Sequence, residues 1–175
     1  LREAIGALVH VGLLETKQGS GTIVLSSSVF GAVLTKYIEQ RSLLHIVEVR
    51  MALESEAASL AAERRTDDHL SKMEKNLQAC EIAFKQNDLA AYLTADIHFH
   101  QAIVEASENS LLIDLYSTFS DSLYYSVEQN ISDLQTNQDE QKIHEQLFYA
   151  IKEQQATKAN HIVRSYLLKR KERLV

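Results

Sequence analysis

The stretch 43-LLHIVEVRMALESEAASLAAERR-65 reads as one long helix. Val47, Met51, Leu53, Ala57, Leu60 and Ala61 recur at three-to-four-residue spacing, which lays an apolar stripe along one helical face. Arg64 and Arg65 end it with the positive charge that suits a helix C-terminus. Little elsewhere interrupts such helices, since the chain has no proline and its five glycines all precede residue 32.

Working outward toward the C-terminus, Thr66 caps a next helix to about Gln86, with Asp67 and Asp68 in the first turn where carboxylates complement the dipole. Asn87-Asp88 punctuates, and a helix from Asp88 to about Ser107 follows. Asn109-Ser110 caps another through Leu112, Leu115, Phe119, Leu123 and Val127. The polar run Ser132 to Asp139 reads as a loop or a ragged helix start. Ile143, Leu147, Ala150 and Ile151 mark one more helix, and Ile162, Val163, Tyr166 and Leu167 the last, whose Lys169-Arg170-Lys171 ending is a solvated terminus. The fold class is all-α, an antiparallel bundle of about six or seven helices.

Working outward the other way, Leu1, Ile5, Leu8 and Val9 form a short amphipathic helix that stops at Gly12. Leu13 to Lys17 and Thr22 to Val24 are short extended runs around Gln18-Gly19-Ser20-Gly21, a hairpin with a glycine-rich tip.

Composition excludes several classes. The 175 residues are 45% apolar, enough for a core and at most two domains. Against 18 basic residues stand 24 acidic ones, a net charge of -6, so no broad phosphate-coating surface exists and any DNA contact is local. The single cysteine, Cys80, sits between Leu77 and Phe84 at helical spacing and reads as packing in a reducing, cytoplasmic setting. Neither a membrane-spanning run nor a signal peptide is recognisable.

Three polar groups face the apolar side of their helices. Asp96 and His100 stand four apart and project from one side, next to Tyr92, Phe99 and Ile103. His144, between Ile143 and Leu147, is also directed inward. Two side chains from one helix and one from another suit a divalent ion (zinc, nickel or manganese) with a position open for a ligand carboxylate. The competing reading makes His100 a core histidine hydrogen-bonded to Asp96. His98 lies roughly opposite His100 and is expected to be exposed. Arg50 admits two readings as well, a two-pronged grip on an organic carboxylate or an ion pair with Glu54 four residues on. Tyr124 and Tyr125 either line the same cavity or are core and interface aromatics.

Leu1-Arg2-Glu3-Ala4-Ile5, then Gly12-Leu13-Leu14, then Gly19-Ser20-Gly21-Thr22-Ile23-Val24 resemble the end of the recognition helix and the wing of GntR-type transcription regulators. Glu48-Val49-Arg50 with Leu53-Glu54, Asp96-Ile97-His98-Phe99-His100, Ala106-Ser107 with Asn109 and Leu111-Leu112, and His144 with Ala150-Ile151 resemble the C-terminal domain of the FadR branch, the FCD type. The resemblance implies a homodimeric DNA-binding regulator, not an enzyme, with a small organic-acid effector. It divides the chain into 1–24, the later part of a winged helix-turn-helix domain; 25–42, a linker and first helix; and 43–175, the effector-binding and dimerisation domain. It implies DNA contacts at Arg2, Gln18 and Gly19 and a chain that starts within the recognition helix, so that operator DNA is bound through the full-length protein and only poorly by these 175 residues.

For the sensor, the resemblance implies a metal at Asp96, His100 and His144, and effector contacts at Arg50 and Tyr166. The metal-binding branch has a further histidine where this chain has Tyr166; His161 lies five residues earlier, on a different face. The site is then either three-coordinate with water or effector, or without metal as in the acyl-thioester-sensing branch. A helical metal-dependent hydrolase is the rival class, but no nucleophile elbow, phosphate loop or His-Glu-x-x-His spelling occurs. A plain dimerisation module is the second.

Overall fold

Thr66 separates two long helices and shows how the chain punctuates itself without proline. The computed structural model describes residues 1–17, 19, 21–24, 29, 33, 37, 41–117, 120 and 138–172. They fall into two compact units, Leu1–Arg41 and Ser42–Val175.

In the first unit, α1 (Arg2–Val11) ends at Gly12, whose φ of 87° is left-handed, as only glycine adopts freely. The Gly12 amide donates to Val9 O at 3.0 Å and Leu13 N to Leu8 O at 2.9 Å, closing the helix with a Schellman pair of bonds. The hairpin strands β1 (Leu14–Lys17) and β2 (Gly21–Val24) are antiparallel, in register from Leu14 opposite Val24 to Lys17 opposite Gly21. Gly19, at the tip, has φ 84°.

The second unit holds α2 (Leu43–Arg64), α3 (Asp67–Lys85), α4 (Leu89–Glu105), a helix at 110–117 (α5), α6 (Gln138–Lys152) and α7 (Ala156–Glu172). Thr66 Oγ1 accepts from His69 N at 3.3 Å and His69 Nδ1 accepts from Thr66 N at 3.2 Å, a capping box with histidine in the place usual for glutamate. Asp88 and Asn109 cap α4 and α5 through the amides of Ala91 and Leu112. With no glycine available, the left-handed position that closes α3 falls to Asn87 (φ 57°) and that after α6 to Gln154 (φ 58°). The polar run expected to precede α6 reaches helix earlier than its end, since α6 begins at Gln138; the part before residue 138 lies outside the described residues, as does the expected continuation of α5 through Phe119, Leu123 and Val127.

The stripe expected on α2 proves to be two faces. Val47, Ala58, Ala61 and Ala62 join Met73, Phe99, Leu147, Ile151, Val163 and Leu167 in the main core. Ala57, with Leu53 and Leu60 beside it, meets Val104, Leu112 and Tyr116 in a second cluster. A helix buried on two sides is a central one, and its alanines, all with 0% exposure at 57, 58, 61 and 62, let α7 lie closely along it. Arg64 and Arg65 do more than end their own helix: they donate to Ser107 O at 2.8 Å and Lys152 O at 2.7 Å, tying the C-terminal ends of α4 and α6 to that of α2. Cys80 is fully buried with Ala83, Tyr92 and Ala95. No helix among the described residues is long and apolar enough to cross a membrane.

Candidate metal centre

Helix α4 carries two residue types along its inner side. Phe99, Ala102 and Ile103 fill the core, while Asp96 and His100 sit one turn apart among them. A carboxylate and an imidazole in that position need partners, because an uncompensated buried charge is costly by several kcal/mol or more. Their partner comes from α6, where the ring of His144 lies 5.2 Å from that of Phe99 and the residue is itself 0% exposed.

His144 Nε2 is 3.2 Å from Asp96 Oδ1, and His100 Nε2 is 3.8 Å from the same oxygen. One ligand atom from each of the three residues lies within 4.8 Å of the others. Neither close approach is an aligned hydrogen bond: His100 Nε2 and both ring nitrogens of His144 are buried without a hydrogen-bond partner among the described residues. The alternative in which His100 is hydrogen-bonded to Asp96 is therefore corrected, because 3.8 Å is too long. Atoms bound at about 2.0–2.2 Å to one tetrahedral ion are roughly 3.4 Å apart, so orphaned nitrogens and a carboxylate oxygen at these separations fit a divalent ion. Two imidazoles and one carboxylate are also the donor set that zinc-like ions take.

Electrostatics prepares the donors. Burial alone would push the Asp96 carboxyl up, but His144 and His100 beside it outweigh that and hold it below the usual carboxylate range. Burial pulls His144 down to about 4 against the opposing pull of Asp96, so its imidazole is neutral at physiological pH and has a lone pair to give.

Behind His100 lies a second layer, centred on Glu54 of α2. His100 Nδ1 is 3.1 Å from Glu54 Oε2, at hydrogen-bonding distance but with the donor direction off line. Glu54 Oε1 accepts from Tyr116 Oη at 3.1 Å and from Arg50 Nε. Burial would raise the Glu54 carboxyl, yet Arg50 and then His100 hold it far below its ordinary value. Tyr116 is pushed well up by burial and by Glu54. Thus the ion pair of Arg50 with Glu54 is present, and it is buried rather than on a solvated helix face.

The FCD domain family matches residues 45–169, most of the chain. The chain belongs to the FCD domain family, found in GntR-type regulators. It is 38% identical over 127 residues to the HTH-type transcriptional regulator LutR of Bacillus subtilis, covering 69% of this chain and 56% of that protein. It is 32% identical over 135 residues to the putative L-lactate dehydrogenase operon regulatory protein of Escherichia coli, covering 73% and 51%. Among solved structures, Streptococcus agalactiae GntR aligns with a TM-score of 0.66 at 27% identity, covering 98% of this chain and 80% of that one. The chain spans about half the length of the curated relatives it matches.

Within this FCD domain, Tyr166 is buried, its ring 5.9 Å from that of His144 and overlaid by the Arg170 guanidinium at 5.1 Å. His161 is exposed on the same helix and pairs with Ser165. His98 is exposed and accordingly faces away from the cluster. Burial, and next the nearby Asp96, push the Cys80 thiol up to about 12, leaving it protonated. Arg2 and Gly19 are exposed in the first unit, and Gln18, Tyr124 and Tyr125 lie outside the described residues. Sequence reasoning missed the Glu54–His100 approach, the Tyr116 hydroxyl, and Gln141, a buried residue one turn before His144 whose Nε2 has no partner among the described residues. For Gln141 the signal was its spacing of three from His144, which places both on one side of α6.

Proposed function

We propose that this chain is the sensing part of a homodimeric transcription regulator, in which a small hydroxy acid is bound at a divalent ion held by Asp96, His100 and His144. The observation that carries the reading is the convergence of these three buried groups from α4 and α6, two of them with ring nitrogens that lack hydrogen-bond partners among the described residues. A divalent ion there supplies a Lewis-acidic position for a carboxylate oxygen. Asp96 neutralises part of its charge, His144 offers a neutral nitrogen, and His100 offers its Nε2.

Arg50 and Tyr166 are the effector-facing groups of this reading. Arg50 adds positive charge near both Asp96 and Tyr166, and its terminal NH2 groups are the donors it offers a carboxylate once Nε is given to Glu54. Tyr166 stands beside His144 where a third histidine would be a fourth ligand, so a coordination position is left to the effector. The relative whose name refers to the L-lactate dehydrogenase operon supports a short 2-hydroxy acid as effector, since a carboxylate and its neighbouring hydroxyl can share one ion. In this reading residues 1–24 are the end of a winged-helix DNA reader, with Arg2, Gln18 and Gly19 toward operator DNA, and the sensor role is binding rather than catalysis.

Thermal unfolding of the metal-stripped chain tests this. L-lactate is expected to raise Tm by a few degrees only when zinc, nickel or manganese is also present, and Asp96→Ala is expected to abolish the rise. An equal rise without metal, or none with any of the three, contradicts the reading.

A further inference from the structure

The layer behind His100 is more elaborate than stability requires. Arg50 and Glu54 are both buried, at 8% and 2% exposure. A buried ion pair adds little over apolar residues of the same volume, because the desolvation of both charges offsets their attraction. Glu54 is nonetheless held from three directions, by Arg50 one turn away on α2, by Tyr116 on α5 and by His100 on α4.

The two oxygens of Glu54 are divided between these neighbours. Oε1 takes Arg50 Nε and the Tyr116 hydroxyl, while Oε2 stands 3.1 Å from His100 Nδ1. A neutral imidazole carries one proton, on one nitrogen or the other. With Nδ1 this close to a carboxylate, placing a lone pair there sets two electron-rich atoms against each other, and placing the proton there makes a charge-assisted attraction. The other nitrogen, Nε2, is the one that faces Asp96 Oδ1 and has no hydrogen-bond partner among the described residues.

We propose that Glu54 is a positioning residue of the metal centre: it keeps the His100 proton on Nδ1, so that the Nε2 lone pair faces Asp96 and the ion, while Arg50 and Tyr116 hold Glu54 at that task. The inference rests on the metal-binding reading above. A carboxylate behind a ligating imidazole fixes the tautomer and the ring angle, and removing such a partner lowers metal affinity by about 10–100-fold.

Two measurements test it. In the metal-free wild-type chain, two-bond 1H–15N correlation spectra, with the His100 signals assigned by their absence in His100→Gln, are expected to show the Nδ1–H tautomer. This needs no Glu54 variant. The second is zinc titration against a competing chelator, in wild type, in Glu54→Gln, and in the double variant Arg50→Met with Glu54→Leu, which replaces the ion pair by apolar side chains and keeps the fold testable. The double variant is expected to bind zinc about 10–100-fold more weakly and to show mixed His100 tautomers when metal-free, whereas a merely structural role leaves the tautomer unchanged. An Nε2–H tautomer in wild type, or zinc affinity within threefold of wild type in whichever variant folds, overturns the inference. If wild type itself takes up no metal, the metal reading fails and the inference falls with it; if wild type binds zinc and the variants bind it equally well, the inference alone fails.

Discussion

His144 Nε2 on α6 stands 3.2 Å from Asp96 Oδ1 on α4, with His144 fully buried and Asp96 buried beside it. The contact joins two helices through a carboxylate and a neutral imidazole, so protons and metal ions compete for the same atoms.

The first consequence is a pH dependence of stability in the metal-free chain. Burial holds His144 at about 4 in the folded state, against about 6.5 in an unfolded chain. As the pH falls, the unfolded chain takes up the proton first. Stability that is whole above pH 6.5 is lost progressively until the folded value near 4 is passed, to a total of about 3 kcal/mol. Asp96 and Glu54, whose carboxyls are depressed, add their own loss at the acid end, below the unfolded carboxylate range. Urea unfolding with a chelator present, from pH 7 down to 4, is expected to show the decline, and His144→Gln a flatter course between pH 6.5 and 5. Identical slopes for the two proteins contradict it.

Tyr116→Phe removes one donor from a buried carboxylate and leaves the ring in the cluster with Ala57, Val104 and Leu112. No cavity forms, so the loss isolates a hydrogen bond to a charged group, about 1.5–3 kcal/mol. Chemical denaturation of the metal-free chain measures it; an unchanged midpoint means that the hydroxyl does not hold Glu54.

Gln154 closes α6 with φ 58°, where a side chain is strained. Its amide donates to Ile151 O at 3.0 Å and the next amide, of Gln155, to Ala150 O at 2.8 Å, the same pair of bonds that Gly12 makes after α1. Gln154→Gly relieves the left-handed strain and is expected to stabilise the chain by about 1 kcal/mol. A loss of stability shows that the Gln154 side chain contributes contacts that outweigh its backbone strain.

Much of this was legible from local spacing. Thr66, Asp88 and Asn109 announce their helices because capping depends on neighbours in sequence, and Asp96 with His100 is a one-turn pair on a helix whose other inner residues are apolar. What depended on how helices are rotated against one another was not. Val47 and Ala57 share one apparent stripe on α2, yet they enter different clusters because α2 is flanked on two sides. Glu54 looks like the far half of an ordinary i,i+4 pair with Arg50, and only the approach of α4 reveals that its other oxygen meets His100. Gln154 carries no signal at all, since glycine or asparagine is the usual mark of a left-handed closing residue.

The central claim is that α4 and α6 together present one ion-binding cluster, and elemental analysis of the purified chain tests it most directly. After exposure to zinc, nickel or manganese and removal of loose metal, about one equivalent per chain is expected for wild type and essentially none for Asp96→Ala. A wild-type chain that retains none of the three metals, or an Asp96→Ala chain that retains as much as wild type, contradicts the account.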